Sequence, residues 1–342
     1  MDNTEQHSLS SFYGRFRQNM EDHFGDIIHS CQGIAVGVSG GPDSMALCHL
    51  LSQILGDGQT LYAITVDHRL RKEAAHEAAQ VGELLSSLHN VKHVTLQWGY
   101  EAQPESRIQE RAREARYHLM TQYMKDNGVS ALFTAHHLDD QAETFLFRLS
   151  KGSGLDGLSA MPFRNELHDD FYICRPLLNL SKNDILQFCR ENSLSYINDP
   201  SNQSDAFARV RLRKSMDVLK EEGLTPKRLG VTATRMLRAR EALDFYAARA
   251  GEQGVILKDS DRVVFDCKLL LLNPFEVVLR VISAAMKEVQ GNSGQHYGVR
   301  MEKLEALCED LLKPNAFRKR TLGKVIFERN DKTGELILSK ER

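Results

Sequence analysis

A short apolar run followed by a glycine turn and a helix start constrains this chain more than any other feature. Residues 33–47 read Gly-Ile-Ala-Val-Gly-Val-Ser-Gly-Gly-Pro-Asp-Ser-Met-Ala-Leu. The apolar part predicts a buried strand, and Pro42 predicts the first turn of a helix. Between them, Ser39-Gly40-Gly41 leave backbone N–H groups open to an anion at the helix N-terminus. The segment therefore predicts a phosphate or pyrophosphate site.

This loop differs from the two commonest nucleotide-binding motifs. No lysine follows the glycines, so it is not a Walker A loop, and it lacks the Gly-x-Gly-x-x-Gly of dinucleotide sites. Ser-Gly-Gly-Pro-Asp-Ser after a strand resembles the PP-loop of ATP pyrophosphatases, which split ATP into AMP and pyrophosphate to adenylate a substrate. The six-residue match argues against an ordinary glycine turn. The resemblance implies ATP binding by the whole loop and Mg²⁺ binding by Asp43. The implied ATP-binding residues here are Ser39, Gly40, Gly41, Pro42, Asp43 and Ser44.

Up to about residue 200, apolar runs alternate with amphipathic segments. This alternation predicts βαβ units and an α/β fold with a doubly wound parallel sheet, whose ligands bind at the carboxyl ends of the strands. The predicted strands span 34–38, 60–67, 92–97, 131–137 and 171–177. The predicted helices lie near 42–55, 72–89, 106–126, 138–150 and 181–192.

Beyond residue 205 the pattern changes to helices near 205–221, 226–249, 274–289 and 299–312, with one short strand at 262–267. A hairpin is predicted from 324–329 and 335–339. The second region is therefore expected to be smaller and mainly helical. We expect an N-terminal extension at 1–30, a catalytic domain at 31–215 and a C-terminal region at 216–342 that binds RNA.

Composition narrows the class of protein. Net charge is −2, but residues 205–249 contain eleven Lys or Arg against six Asp or Glu, and 313–324 contain five basic residues and no acidic one. Such segregated basic surface suits a polyanion such as RNA, although alternating charges in the first stretch also fit a solvated helix face.

The six cysteines form no C-x-x-C pair, which argues against a zinc ribbon, an iron–sulfur cluster or a disulfide framework. We expect a cytoplasmic protein without a membrane segment.

Polar constellations follow the predicted strands. His68 and Arg71 follow the second strand and are placed to contact adenosine or ribose. His136-His137-Leu138-Asp139-Asp140 follows the fourth, and Asp140 shares a helix face with Glu143, a good site for an ammonium group or Mg²⁺. The two His and two Asp also suggest a metal phosphohydrolase as an alternative. Arg113 and Arg116 lie one turn apart and can reach one anion together, or form a solvated face.

Further motifs follow the loop in order: His-His-x-Asp-Asp-Gln-x-Glu-Thr, Arg148 to Leu158, Arg-Pro-Leu-Leu from Arg175, and Asn198-Asp199-Pro200-Ser201-Asn202. With Ala-Arg-Glu-Ala-Arg-Tyr at 112–117, they resemble the tRNA(Ile)-lysidine synthetase family over about residues 30–215. One departure is Val210, where the family usually has Asn. PP-loop tRNA thiolases acting on cytidine are the closest rival enzymes, but they ordinarily need suitably spaced cysteines.

The resemblance implies an ATP-dependent ligase that joins lysine to carbon 2 of the wobble cytidine in tRNA(Ile) with a CAU anticodon. Its substrates are ATP with Mg²⁺, L-lysine and that tRNA, and homodimer formation is left open. The implied catalytic residues are Asp43, Arg113, His137 and Asp140; Asp140 and Glu143 bind lysine. The expected tRNA-binding residues are Arg116, Arg209, Arg211, Arg213, Arg318, Lys319 and Arg320.

Overall fold

A computed structural model describes residues 11–67, 69, 74–99, 108–167, 171–197, 208–291, 299–313 and 317–341. The chain divides into two compact units, residues 1–236 and 237–342. His68 and Arg71 lie outside the described residues, as does the Asn198-to-Asn202 motif.

The first unit is built on a sheet in which six described strands are ordered β3-β2-β1-β4-β6-β5. All pairs are parallel except β5 with β6. The strands are β1 (Gly33–Gly37), β2 (Thr60–Asp67), β3 (Val91–Gln97), β4 (Ala131–Phe133), β5 (Arg164–Glu166) and β6 (Tyr172–Cys174). From β1 the chain continues to β2 and β3 on one side of the sheet, and it then returns to β4 on the other side of β1. A crevice for ligands therefore opens between the carboxyl ends of β1 and β4.

Helices connect these strands and continue beyond them. Their bounds are α1 (Phe12–Ser30), α2 (Pro42–Ile54), α3 (Ala74–Leu85), α4 (Ile108–Asp126), α5 (Leu138–Leu149), α6 (Leu155–Leu158), α7 (Lys182–Glu191), α8 (Ala208–Glu221) and α9 (Pro226–Gly254). The unit boundary falls within α9.

The central strand β1 shows why the sheet must be covered on both faces. Ile34 and Val36 belong to a core cluster that includes Phe16 and Phe24 of α1, whereas Ala35 belongs to a second cluster. Successive strand side chains point to opposite faces, so an unbroken apolar run needs a core on each side. The predicted doubly wound parallel sheet is confirmed.

The second unit contains helices and an antiparallel sheet ordered β7-β8-β11-β10-β9. The strands are β7 (Val255–Lys258), β8 (Arg262–Asp266), β9 (Arg320–Leu322), β10 (Val325–Asn330) and β11 (Glu335–Lys340), and the helices that follow α9 are α10 (Cys267–Leu271), α11 (Phe275–Gln290) and α12 (Met301–Leu312). Fully buried Phe327 and Leu338 pack in one core with Val278 and Ile282 of α11. The sequence predicted a strand and a hairpin here; the structure joins them into one sheet with two short edge strands.

Candidate active site

The loop after β1 is shaped by its two serines. The backbone N–H of Ser39 donates to Ser44 Oγ at 3.2 Å, and Ser44 Oγ donates to the Gly41 carbonyl at 3.0 Å. Helix α2 begins at Pro42 and has no side-chain cap at Gly41, so its first N–H groups need another acceptor. One of the N–H groups expected to hold phosphate, that of Ser39, thus closes the loop internally, and the helix N-terminus supplies further donors.

The backbone conformation of Gly40 and the side chains packed against it both favour glycine at this position. Its φ is +85°, and a Cβ added there would lie 2.9 Å from Val81 Cγ2 and 3.1 Å from Ile197 Cδ1. Its carbonyl accepts the N–H of Ile197 at 2.8 Å. Helix α3 and the segment after α7 therefore pack closely against the loop at Gly40.

An ion pair at this loop was not predicted from the sequence. Lys182 Nζ, at the first residue of α7, lies 2.6 and 2.7 Å from the two carboxylate oxygens of Asp43. The Lys182 N–H donates to Asp139 Oδ2 at 2.9 Å, which joins the starts of α5 and α7. Lys182 and Asp43 are 139 residues apart in sequence. The only local signal was a lysine in a first helical turn, where acidic residues are usual.

The segment after β4 places His137 among three carboxylates. Its Nε2 is 3.5 Å from Asp140 Oδ2 and 3.8 Å from Asp43 Oδ1, and its Nδ1 is 3.7 Å from Asp139 Oδ2. Asp140 also caps α5 by accepting the His137 N–H at 3.0 Å. Glu143 is buried on the same helix, with 7% of its surface exposed. The structure thus brings Asp43, His137 and Asp140 together.

A cavity of about 440 Å³ opens at the carboxyl edge beside the loop. Asp43 and Ser44 line it, together with Arg113 and Arg116 of α4. Its further lining includes Thr65, Asp67, Glu77, Tyr117, Thr134 and His136. Two other clefts, of about 400 and 430 Å³, lie at the loop before β2, which is the amino edge of the sheet.

His136 also lines this cavity, although its sequence pattern predicted no separate role for it in binding or catalysis. Its Nδ1 lies 2.9 Å from Thr134 Oγ1. Burial lowers the pKa of His136 to about 4, and neighbouring Arg175 and Arg113 act in the same direction, so the ring is neutral at neutral pH. Arg116, expected to bind tRNA, shares the cavity with Arg113.

Three of the expected tRNA-binding arginines, 209, 211 and 213, lie in α8, but their side chains are outside the described part of the chain. In the second unit Arg318 is exposed. Lys319 pairs with Glu328 at 2.8 Å, and Arg320 pairs with Asp310 at 2.8 Å. Lys313 of the same basic segment, residues 313–324, also pairs with Asp310, at 2.7 Å. Three of the five cations in this segment thus already have carboxylate partners, which reduces the net positive potential expected there.

The rival chemistries find little support in the geometry. Within the described ranges, no group of three or more His, Cys, Asp or Glu side chains is arranged to hold a metal ion. Instead, Asp139 and Asp140 accept backbone N–H groups at helix starts. All six cysteines are unpaired, and burial raises the pKa of Cys48, Cys174 and Cys308 to about 12, which leaves them as inert thiols. Across the same ranges, no helix is long and apolar enough to cross a membrane.

The sheet order, the Ser-Gly-Gly turn after its central strand and the cavity at the β1–β4 crevice define a PP-loop nucleotide-binding protein. Residues 12–220 match the family described as PP-loop domain. A tRNA(Ile)-lysidine synthase from Bradyrhizobium sp. (strain BTAi1) is 38% identical over 289 residues, covering 81% of this chain and 79% of the relative. The Rhodopseudomonas palustris enzyme of that name is 38% identical over 297 residues, covering 85% and 84%. The chain belongs to the tRNA(Ile)-lysidine synthase family.

A solved structure agrees at the level of the fold. The U34-tRNA thiolase NcsA from Methanococcus maripaludis, determined with its [4Fe-4S] cluster, superposes with a TM-score of 0.54. It is 16% identical and covers 66% of this chain and 78% of its own. The likeness extends to the fold alone.

Proposed function

We propose that this protein ligates lysine to carbon 2 of the wobble cytidine of tRNA(Ile) with a CAU anticodon, in the cytoplasm, forming lysidine, AMP and pyrophosphate. The observation that carries the proposal is the meeting of two sites at one crevice. The phosphate loop follows β1, the His137 carboxylate cluster follows β4, and these strands are neighbours in the sheet. A nucleotide and an amine can therefore meet a base there.

The first half-reaction is adenylation of the base. The cytosine O2 attacks the α-phosphorus of ATP and pyrophosphate leaves, which turns O2 into part of a good leaving group, AMP. The N–H groups at the start of α2 stabilise the charge that develops on pyrophosphate. Arg113 lines the same cavity and supplies a second positive group.

Asp43 fits the expected Mg²⁺. Its carboxylate lines the cavity, is 28% exposed and already holds a compact cation, the Lys182 ammonium, with both oxygens. Mg²⁺ sites of this kind use one or two carboxylates together with substrate phosphates. When bound, the ion would neutralise phosphate charge on ATP.

The second half-reaction requires a neutral amine. Free lysine has an ε-amino pKa near about 10.4, so the ammonium must lose a proton before its nitrogen attacks carbon 2 and displaces AMP. Asp140 and Glu143 are proposed to bind the ammonium through charge-assisted hydrogen bonds. His137, whose Nε2 lies 3.5 Å from Asp140 Oδ2, is proposed to accept the proton.

The tRNA is proposed to reach the crevice across basic surface. Arg116 lines the cavity, Arg209, Arg211 and Arg213 belong to α8, and Arg318 is exposed in the second unit. Phosphate contacts of this kind position a nucleic acid, and contacts to the base edge select the cytidine.

The test combines labelled lysine, ATP and the tRNA(Ile) transcript, and follows pyrophosphate release and lysine incorporation in parallel. Asp43→Asn should abolish both. Glu143→Gln should raise the lysine concentration needed by about tenfold or more, because it removes a charge-assisted contact, while pyrophosphate release continues. Exposed Glu83→Gln is the matched control and should change neither.

Two results would contradict these assignments. If the unmodified protein incorporates no lysine, the proposed activity is wrong. If Glu143→Gln blocks pyrophosphate release as completely as Asp43→Asn, the carboxylate belongs to the ATP site and the proposed lysine pocket is wrong.

A further inference from the structure

Lys182 is a cation at a position where helix electrostatics disfavour one. The start of a helix carries positive partial charge. Helix α7 is already capped, because Ser181 Oγ accepts the Asp184 N–H at 3.2 Å and Asp184 Oδ2 accepts the Ser181 N–H at 3.3 Å. Helix formation therefore does not explain a lysine here. Residues that break a local rule are expected at functional sites.

The lysine side chain contacts the phosphate loop. Its Nζ meets both carboxylate oxygens of Asp43, and the two side chains are 34% and 28% exposed. The backbone of Lys182 is held in place by Asp139, which accepts its N–H. The ammonium therefore stays within one side-chain length of the loop in any rotamer.

The Lys182 ammonium and Mg²⁺ compete for the carboxylate of Asp43. A carboxylate whose two oxygens hold one ammonium cannot also bind Mg²⁺ at about 2.0–2.1 Å through the same lone pairs. Both side chains remain partly exposed to water, which screens the pair, and lysine carries its charge on a flexible four-carbon stem. The ammonium can leave Asp43 without backbone movement.

The charge around the loop gives the ammonium a second role. Asp43, Asp139 and Asp140 surround His137, each with an oxygen within 3.8 Å of a ring nitrogen. Three carboxylates this close to the loop would repel a triphosphate. Lys182 offsets part of that charge before the nucleotide arrives, and the same cation is then available to the phosphates.

We propose that Lys182 is a pyrophosphate-binding residue, which holds Asp43 in the free protein and moves to the phosphate oxygens when ATP and Mg²⁺ occupy the loop. The inference rests on the proposed function, because it assumes that ATP is cleaved to pyrophosphate at this loop. It adds a positive side chain to the N–H donors of α2 as a ligand of the leaving group.

The test uses the full chain and inorganic pyrophosphate with Mg²⁺ as the probe, with binding measured by titration calorimetry. Lys182→Gln should weaken pyrophosphate binding by about tenfold or more, since one charge-assisted contact is lost. Lys182→Arg should restore most of the affinity, and exposed Lys125→Gln should change nothing. Without nucleotide, Lys182→Gln should bind Mg²⁺ more tightly, because the ammonium no longer competes for Asp43.

Opposite changes in pyrophosphate and Mg²⁺ affinity cannot arise from misfolding, which weakens both. The inference is overturned if Lys182→Gln binds pyrophosphate as tightly as Lys125→Gln, or if Lys182→Arg fails to restore binding. In either case, lysine incorporation by the unmodified protein would leave the proposed function standing. If the unmodified protein neither binds pyrophosphate nor incorporates lysine, both are wrong.

Discussion

Replacing Gly40 by alanine tests whether the phosphate loop depends on packing from behind. With φ at +85°, an alanine costs about 1–2 kcal/mol from the left-handed backbone alone. Its Cβ would lie 2.9 Å from Val81 Cγ2, and relieving such overpacking costs about 1–3 kcal/mol more. The expected loss is about 2–5 kcal/mol. Gly58 is a matched control, since its φ is +87° and nothing lies within 4 Å of its added Cβ.

Urea unfolding followed by circular dichroism, with pyrophosphate titration on the same samples, separates the cost of the left-handed backbone from the cost of overpacking. Gly58→Ala should cost about 1–2 kcal/mol and leave pyrophosphate binding unchanged. Gly40→Ala should cost more and should weaken binding, because the loop must shift away from Val81 and Ile197. Equal stability losses in the two variants, or full pyrophosphate binding by Gly40→Ala, would refute the packing argument.

Two further predictions concern His136 and the basic segment of the second unit. The pKa of His136 is about 4 when folded, against about 6.5 in an unfolded chain, so the unfolded state takes up the proton first and stability falls as pH drops from 6.5 to 4. His136→Gln should flatten that fall in urea titrations across this range, and an unchanged slope would contradict the burial of the ring. Arg318→Gln with Lys319→Gln should reduce the salt dependence of tRNA binding by about one unit of log–log slope, because Lys319 is already paired with Glu328. No change in slope in filter-binding assays would remove this segment from the tRNA surface.

Features that depend on residues adjacent in sequence could be predicted from the amino-acid sequence. The strand–loop–helix at 33–47 is a contiguous signal, because a buried strand, a glycine turn and a proline start each leave a local trace. Predicted strand 60–67 coincides with Thr60–Asp67, and predicted strand 34–38 differs by one residue from Gly33–Gly37. Short edge strands such as Arg164–Glu166 were missed, because three residues contain too little periodicity to detect.

The chain itself thus determined the class of fold, the phosphate loop and the edge of the sheet at which ligands bind, all of which follow from local pattern and the rules of parallel sheets. Tertiary structure alone decided which side chains meet there. Lys182 reaches Asp43 across 139 residues, and Val81 and Ile197 converge on Gly40 from two different segments. It also placed His136 in the cavity and His137 among the carboxylates, because adjacent residues after a strand point in different directions. Contacts between distant segments depend on how the elements pack, and no local sequence pattern records that.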